Sequence, residues 1–110
     1  MTNACNAQTQ PRSGGQILSL GELLVDLIPV ENGKKKKKTG AVLKVASGSA
    51  GIFACAISAL GAKSGFLGKV GKDALSRMVY DTIQEFGVDM RHVVTSGEGQ
   101  IGLAFIEYLP

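Results

Sequence analysis

Tryptophan is missing from this sequence, histidine occurs once and cysteine twice. Those shortages exclude whole classes of chemistry. The two cysteines, Cys5 in a polar stretch and Cys55 in an apolar one, cannot build a disulfide framework, and with His92 alone beside them they cannot build a metal site. A reducing, cytoplasmic setting is expected. A Ser–His–Asp arrangement cannot be drawn with one histidine beside a predicted strand. No paired carboxylates at helical spacing suit acid/base work either: Asp81 and Glu85 fall opposite the apolar stripe of their predicted helix. No apolar run approaches the ~18 residues of a membrane span. Residues 1–15 lack the basic start and apolar core of a secretory signal, and they lack the Arg-rich pattern of a transit peptide.

Positive charge is also scarcer than the net value of +3 suggests, because five of the twelve basic residues are consecutive, Lys34 to Lys38. Taking away that block leaves seven basic residues against nine acidic ones. The domain is mildly acidic with one basic loop attached, over residues 31–40. A nucleic-acid surface would spread Lys and Arg over a face and interleave aromatics, which make up only 5% here. No nucleic-acid partner is expected, and the lysine block reads as a solvated loop or as a nuclear-localisation or polyanion-binding patch.

What the chain has in quantity is glycine, 15 in 110 residues, placed at the ends of predicted elements. The length suits one small domain. Residues 1–15 read as a polar, disordered leader. Residues 17–20 read as a buried, central, parallel strand. Residues 23–30 form a second strand, ended by Pro29, and 41–46 a third. Residues 52–60 are apolar almost all round, as in a helix buried against a sheet, with Gly61 at its C′ position. Residues 64–67 read as a short strand and 68–72 as a loop. Asp73 is placed to cap a helix whose Leu75, Met78, Val79, Thr82, Ile83 and Phe86 recur at helical spacing, with Gly87 closing it. Strands near 92–94 and over 101–108 follow. The alternation predicts an α/β fold with short crossovers.

Two places carry candidate chemistry. The small-residue turn Ser47-Gly48-Ser49-Ala50-Gly51, opening a helix, lets backbone approach a ligand and offers unpaired N–H groups. It fits a phosphate cradle or ordinary turn chemistry; it is neither a Walker loop nor a dinucleotide fingerprint. Asp26 lies among Leu24, Val25, Leu27 and Ile28. Either it turns to solvent from one face of the strand, or it is a strand-end carboxylate that accepts hydrogen bonds from ligand hydroxyls.

Taken in order, Gly21-Glu22-Leu23-Leu24-Val25-Asp26-Leu27-Ile28-Pro29, the turn through Gly48 to Gly61, Phe66-Leu67-Gly68-Lys69-Val70-Gly71-Lys72-Asp73, Phe86-Gly87-Val88-Asp89 and Gly102-Leu103-Ala104-Phe105 resemble the N-terminal portion of PfkB-type (ribokinase-like) carbohydrate kinases, fructokinases most of all. The resemblance covers nearly all of residues 16–110. It implies a ribokinase-like α/β fold, here a partial three-layer sandwich with a small β lid built near residues 27–30, 41–45 and 101–108. It implies transfer of the γ-phosphoryl group of ATP, with Mg, to a sugar hydroxyl. The family's sugar-contacting acid falls on Asp26 and its sugar loop on 47–52, including Gly48 and Ser49. The first of the family's two adjacent glycines is Ser47 here, and the family's sugar-holding asparagine is Ile52. Its usual Phe-Gly beyond the acidic cap is Leu75-Ser76. The family's Gly-Ala-Gly-Asp-like anion hole, catalytic base and ATP pocket belong to a later part of the fold, so no catalytic or ATP-binding residue is assigned in this chain. The expectation is a sugar-side portion, inactive alone, with sugar binding weak or lost, or else a non-catalytic module that pairs through its lid.

Overall fold

Two three-stranded sheets divide the chain, and the candidate turn lies where they meet. The computed structural model describes residues 15–30 and 40–108. Of the predicted leader over 1–15, residues 1–14 with Cys5, and of the basic loop over 31–40, residues 31–39, lie outside the described residues. The elements run β1 (Ile17–Leu20), β2 (Leu24–Pro29), β3 (Val42–Ser47), α1 (Ser49–Ala59), β4 (Ser64–Val70), α2 (Ala74–Glu85), β5 (Asp89–Thr95) and β6 (Gly102–Phe105). This is the predicted alternation of α and β elements.

The first sheet is parallel, in the order β1-β4-β5, with Ile17 opposite Ser64 and Leu67 opposite His92. The second, in the order β3-β2-β6, pairs β2 with β3 antiparallel and β2 with β6 parallel. The core fills the space between the first sheet, the helices and the start of the second sheet. Phe66, Val25 and Val79 are fully buried, with Leu23, Ile83, Val88 and Met90 beside them. Both helices lie on one face of the first sheet. The Ser19 hydroxyl donates to the Ala50 carbonyl at 2.7 Å and the Ser64 hydroxyl to the Ala54 carbonyl at 2.7 Å, fixing α1 on β1 and β4. The Ser58 hydroxyl donates to the Phe86 carbonyl at 2.6 Å, tying α1 to the end of α2.

Four expectations change. First, β1 is parallel but not central or buried among the described strands: it pairs only with β4, and Ile17, Leu18 and Leu20 are exposed. With one neighbour and helices on one side only, its aliphatic run has little to pack against. Second, α1 buries one stripe, Gly51 and Ala54, and leaves Ile52, Phe53 and Leu60 exposed, because it is covered only from the sheet side. Third, α1 starts at Ser49, so the predicted small-residue turn shrinks to Gly48 and the next three residues form the helix's first turn. Fourth, β4 runs on to Val70 instead of stopping at Leu67, since Gly68, Lys69 and Val70 pair with Val93, Val94 and Thr95. Asp73 caps α2 as expected, accepting from the Ser76 N–H at 2.9 Å. Gly61 and Gly87 follow their helices with φ of 90° and 88°.

Candidate functional site

The turn between β3 and α1 is shaped by a crossing of backbone over backbone. Gly48 has φ of 109°, and a Cβ there would lie 2.5 Å from the Glu22 carbonyl oxygen and 3.1 Å from the Leu23 Cα. A Cβ on Gly51 would run into the Leu23 side chain, and one on Gly21 would lie 2.6 Å from the Ala50 Cβ. The β1–β2 connection therefore passes directly over the first turn of α1, and glycine is required on both sides of the crossing. Close approach, read from the sequence as room for a ligand, is used at Gly48 and Gly51 for the protein's own backbone and core.

What the turn leaves open is the helix end. The Ile52 N–H donates to the Gly48 carbonyl at 2.9 Å, the first helical bond. No side chain caps α1. The N–H groups of Ser49, Ala50 and Gly51 have no protein acceptor among the described residues. Three donors and the positive end of a helix dipole are thus grouped beside exposed Ser49. Ile52, 55% exposed, stands in the same turn. Its side chain neither donates nor accepts.

Asp26 sits in the middle of β2, opposite Val45 on β3 and Ala104 on β6. It is half-buried, and its carboxylate has no hydrogen-bond or ion-pair partner among the described residues. Leu24, two residues back on the same face, is paired with Ser47. Asp26 and Ser47 are therefore diagonal neighbours across an antiparallel pair, roughly 7–8 Å apart. The register brings the acid to the mouth of the Gly48 turn, though the two are 22 residues apart in sequence.

Two cavities lie elsewhere, and neither is lined by Asp26, Gly48 or Ser49. One, of about 400 Å³, opens at the start of α2 between Lys72, Asp73, Arg77 and Tyr80. The other, of about 380 Å³, lies between Glu22, Lys69, Gln100 and Gly102 at the ends of β4 and the β5–β6 connection. Ser76, whose significance was not visible in the sequence, is fully buried where these regions adjoin. Its hydroxyl donates to Asp73 Oδ2 at 2.6 Å and accepts from the Gly71 N–H at 3.0 Å, while the Ile101 N–H donates to the same Asp73 oxygen at 3.4 Å. The Ser76 hydrogen bonds hold the Asp73 carboxyl below the usual carboxylate range. This knot fastens the entry to β6 onto the helix. No spacing rule signals a bond between residues 73 and 101. Burial pushes the Cys55 thiol up, away from reactivity. His92 pairs with Leu67 in register and is exposed. Among the described residues no cluster of three or more His, Cys, Asp or Glu could hold a metal, and no helix is long and apolar enough to cross a membrane.

Comparison with known proteins agrees with the geometry. Residues 15–109 match the pfkB family of carbohydrate kinases. Over 90 residues the chain is 34% identical to probable fructokinase-5 of Arabidopsis thaliana, covering 82% of this chain and 28% of that protein. The fructokinase of Xylella fastidiosa, solved with bound ATP, superposes with a TM-score of 0.75 at 31% identity, over 82% of this chain and 28% of its own. A putative ribokinase II from E. coli superposes with a TM-score of 0.77 at 25% identity, over 86% of this chain and 31% of its own. The fold is therefore ribokinase-like α/β, a partial sandwich in which the second sheet takes the place of the predicted lid. The chain spans under a third of the length of these relatives.

Proposed function

Because the chain belongs to the pfkB family of carbohydrate kinases, we propose that it is the sugar-side portion of a fructokinase-like, ATP-dependent kinase. In this reading Asp26 accepts hydrogen bonds from two hydroxyls of the acceptor sugar, and the N–H groups at Ser49 and its neighbours, exposed by the bare turn at Gly48, donate to a third oxygen. The observation that carries the reading is the Asp26 carboxylate, half-buried and without a protein partner among the described residues. A carboxylate so placed is costly unless something donates to it, and charge-assisted bonds to hydroxyls would compensate. In this reading the turn's glycines serve the backbone crossing, and the donors are the unpaired N–H groups of the helix end.

Ile52 weakens the site. Where the family's asparagine would hold a sugar hydroxyl, a side chain with no donor or acceptor stands exposed, and the missing bond costs ~1–3 kcal/mol, about ten- to a hundred-fold in affinity. Phosphoryl transfer needs groups that neutralise the phosphates and activate the attacking hydroxyl. In this reading residues 15–109 are assigned the sugar side, and no ATP-binding, Mg-binding or base role is assigned among them. The reading places its work in the cytoplasm.

A second reading, pairing through the lid without catalysis, is favoured by the second sheet's exposed Leu43, Leu103 and Phe105, the last 77% exposed. Saturation-transfer NMR with millimolar fructose tests the first. Weak transfer that disappears in Asp26→Asn is expected; no transfer in the wild type, or transfer unchanged in the variant, overturns the sugar site.

A further inference from the structure

The chain leaves the first sheet at Thr95 and enters the second at Gly102. The connection between them is fastened to the turn that joins β4 to α2. At its start the Ser96 N–H donates to the Val70 carbonyl at 2.9 Å. Farther along, the Gly99 carbonyl presses on Gly71, where a Cβ would stand 2.6 Å from that oxygen. At its end the Ile101 N–H donates to Asp73 Oδ2 at 3.4 Å, and the Ile101 side chain is buried in the core. The same Oδ2 accepts from the Ser76 hydroxyl at 2.6 Å, and that hydroxyl accepts from the Gly71 N–H at 3.0 Å. Capping α2 uses the other oxygen, Oδ1, which takes the Ser76 N–H at 2.9 Å. Serine and asparagine cap a helix about as well as aspartate, so the cap does not call for a second carboxylate oxygen. That oxygen is spent on the knot and on the entry to β6.

β6 is in turn the parallel neighbour of β2, from Leu24 beside Gly102 to Leu27 beside Phe105, with Ala104 opposite Asp26. The Ile106 N–H donates to the Leu27 carbonyl at 3.0 Å, so β6 is held to β2 beyond the ladder as well. Where β6 begins therefore bears on where β2 lies, and β2 carries Asp26. We propose that Asp73 is a positioning residue for the sugar site: its second carboxylate oxygen fixes the entry to β6, and β6 holds the strand of Asp26 beside the N–H groups at Ser49. The inference rests on the sugar reading of Asp26 and adds to it a residue that touches no part of the sugar.

The test titrates fructose into the full, isotopically labelled chain and follows the Asp26 carboxyl carbon by NMR. Asp73→Asn keeps the size of the side chain and one oxygen, and puts an amide nitrogen in place of the second acceptor. It is expected to weaken fructose binding about ten-fold, the loss that goes with one bond to a charged group. Hydrogen exchange should quicken at the β6 amides and stay unchanged in the middle of α2. Asp73→Ser, which also keeps a capping oxygen and lacks the second one, is expected to behave in the same way. Gly61→Ala is the control: its Cβ meets nothing within 4 Å, so it lowers stability without touching the knot and binds fructose as the wild type does. Circular dichroism confirms that each variant compared is folded. If Asp73 served only the fold, its folded variants would bind fructose like Gly61→Ala, and that result overturns the inference. Failure of the sugar reading looks different: fructose then leaves the Asp26 resonance of the wild type itself unmoved, and the inference falls with it.

Discussion

Replacing Gly48 by alanine should injure the protein more than any other glycine change at a helix boundary. Two costs add. The backbone at φ of 109° and ψ of 123° lies in a region that L side chains rarely adopt, about 1–3 kcal/mol. The new Cβ would also stand 2.5 Å from the Glu22 carbonyl oxygen and 3.1 Å from the Leu23 Cα, both backbone atoms that cannot swing aside. Relief requires moving the β1–β2 connection, which delivers the buried Leu23 and Val25 to the core, a further ~1–3 kcal/mol by analogy with overpacking. Gly61→Ala is the internal reference. It also has a positive φ, 90°, but its Cβ would meet nothing within 4 Å, so it pays only for the conformation, about 1–2 kcal/mol. Each kcal/mol lowers Tm by about 4–8 °C in a domain of this size. Gly48→Ala should therefore melt about 10 °C below Gly61→Ala when both are followed by circular dichroism. Urea midpoints should fall in the same order. If the two variants melt within about 2 °C of one another, the crossing does not constrain Gly48 and the reasoning fails.

Two further outcomes are expected. Asp73 has its pKa lowered by Ser76, so it contributes stability above the ordinary carboxylate range and loses it as pH falls through its folded value. Ser76→Ala should then be destabilised most at neutral pH and the gap to wild type should narrow in acid, with the Asp73 titration moving upward by NMR; a gap independent of pH between 7 and 3 would refute the assignment. Ile52→Asn exchanges a side chain that is 55% exposed, so it should cost only about 1 kcal/mol of stability. It should tighten fructose binding roughly ten-fold by calorimetry, and unchanged affinity in a folded variant would remove position 52 from the sugar site.

Most of the fold was legible because local rules act on neighbouring residues. The stripe from Leu75 to Phe86 and the acid at Asp73 fixed α2, and Gly61 and Gly87 marked two helix ends. The boundaries that moved were decided by distant partners. Gly68 and Lys69 read as a loop, yet pairing with Val93 and Val94 holds them in β4. The aliphatic run at residues 17–20 correctly announced a parallel strand, but hydropathy does not report how many neighbours a strand has. At the site, Asp26 was visible as an acid among aliphatics and Gly48 as a helix opener. Their proximity depends on the pairing of Leu24 with Ser47, which no spacing in the sequence expresses. Ser76 looked like a mild departure from a familiar pattern and is instead the buried centre of the Asp73–Gly71–Ile101 knot.

The pairing of Leu24 with Ser47 and with Gly102 has a mechanical meaning. The root of the second sheet is one short line, where β2 begins, β3 ends and β6 begins. Two of the three attachments are clamped, one by the crossing at Gly48 and the other by the bond from Ile101 to Asp73. The sheet thus projects from the body as a unit, and Asp26, two residues out from that line, sits near its root and not near its tip.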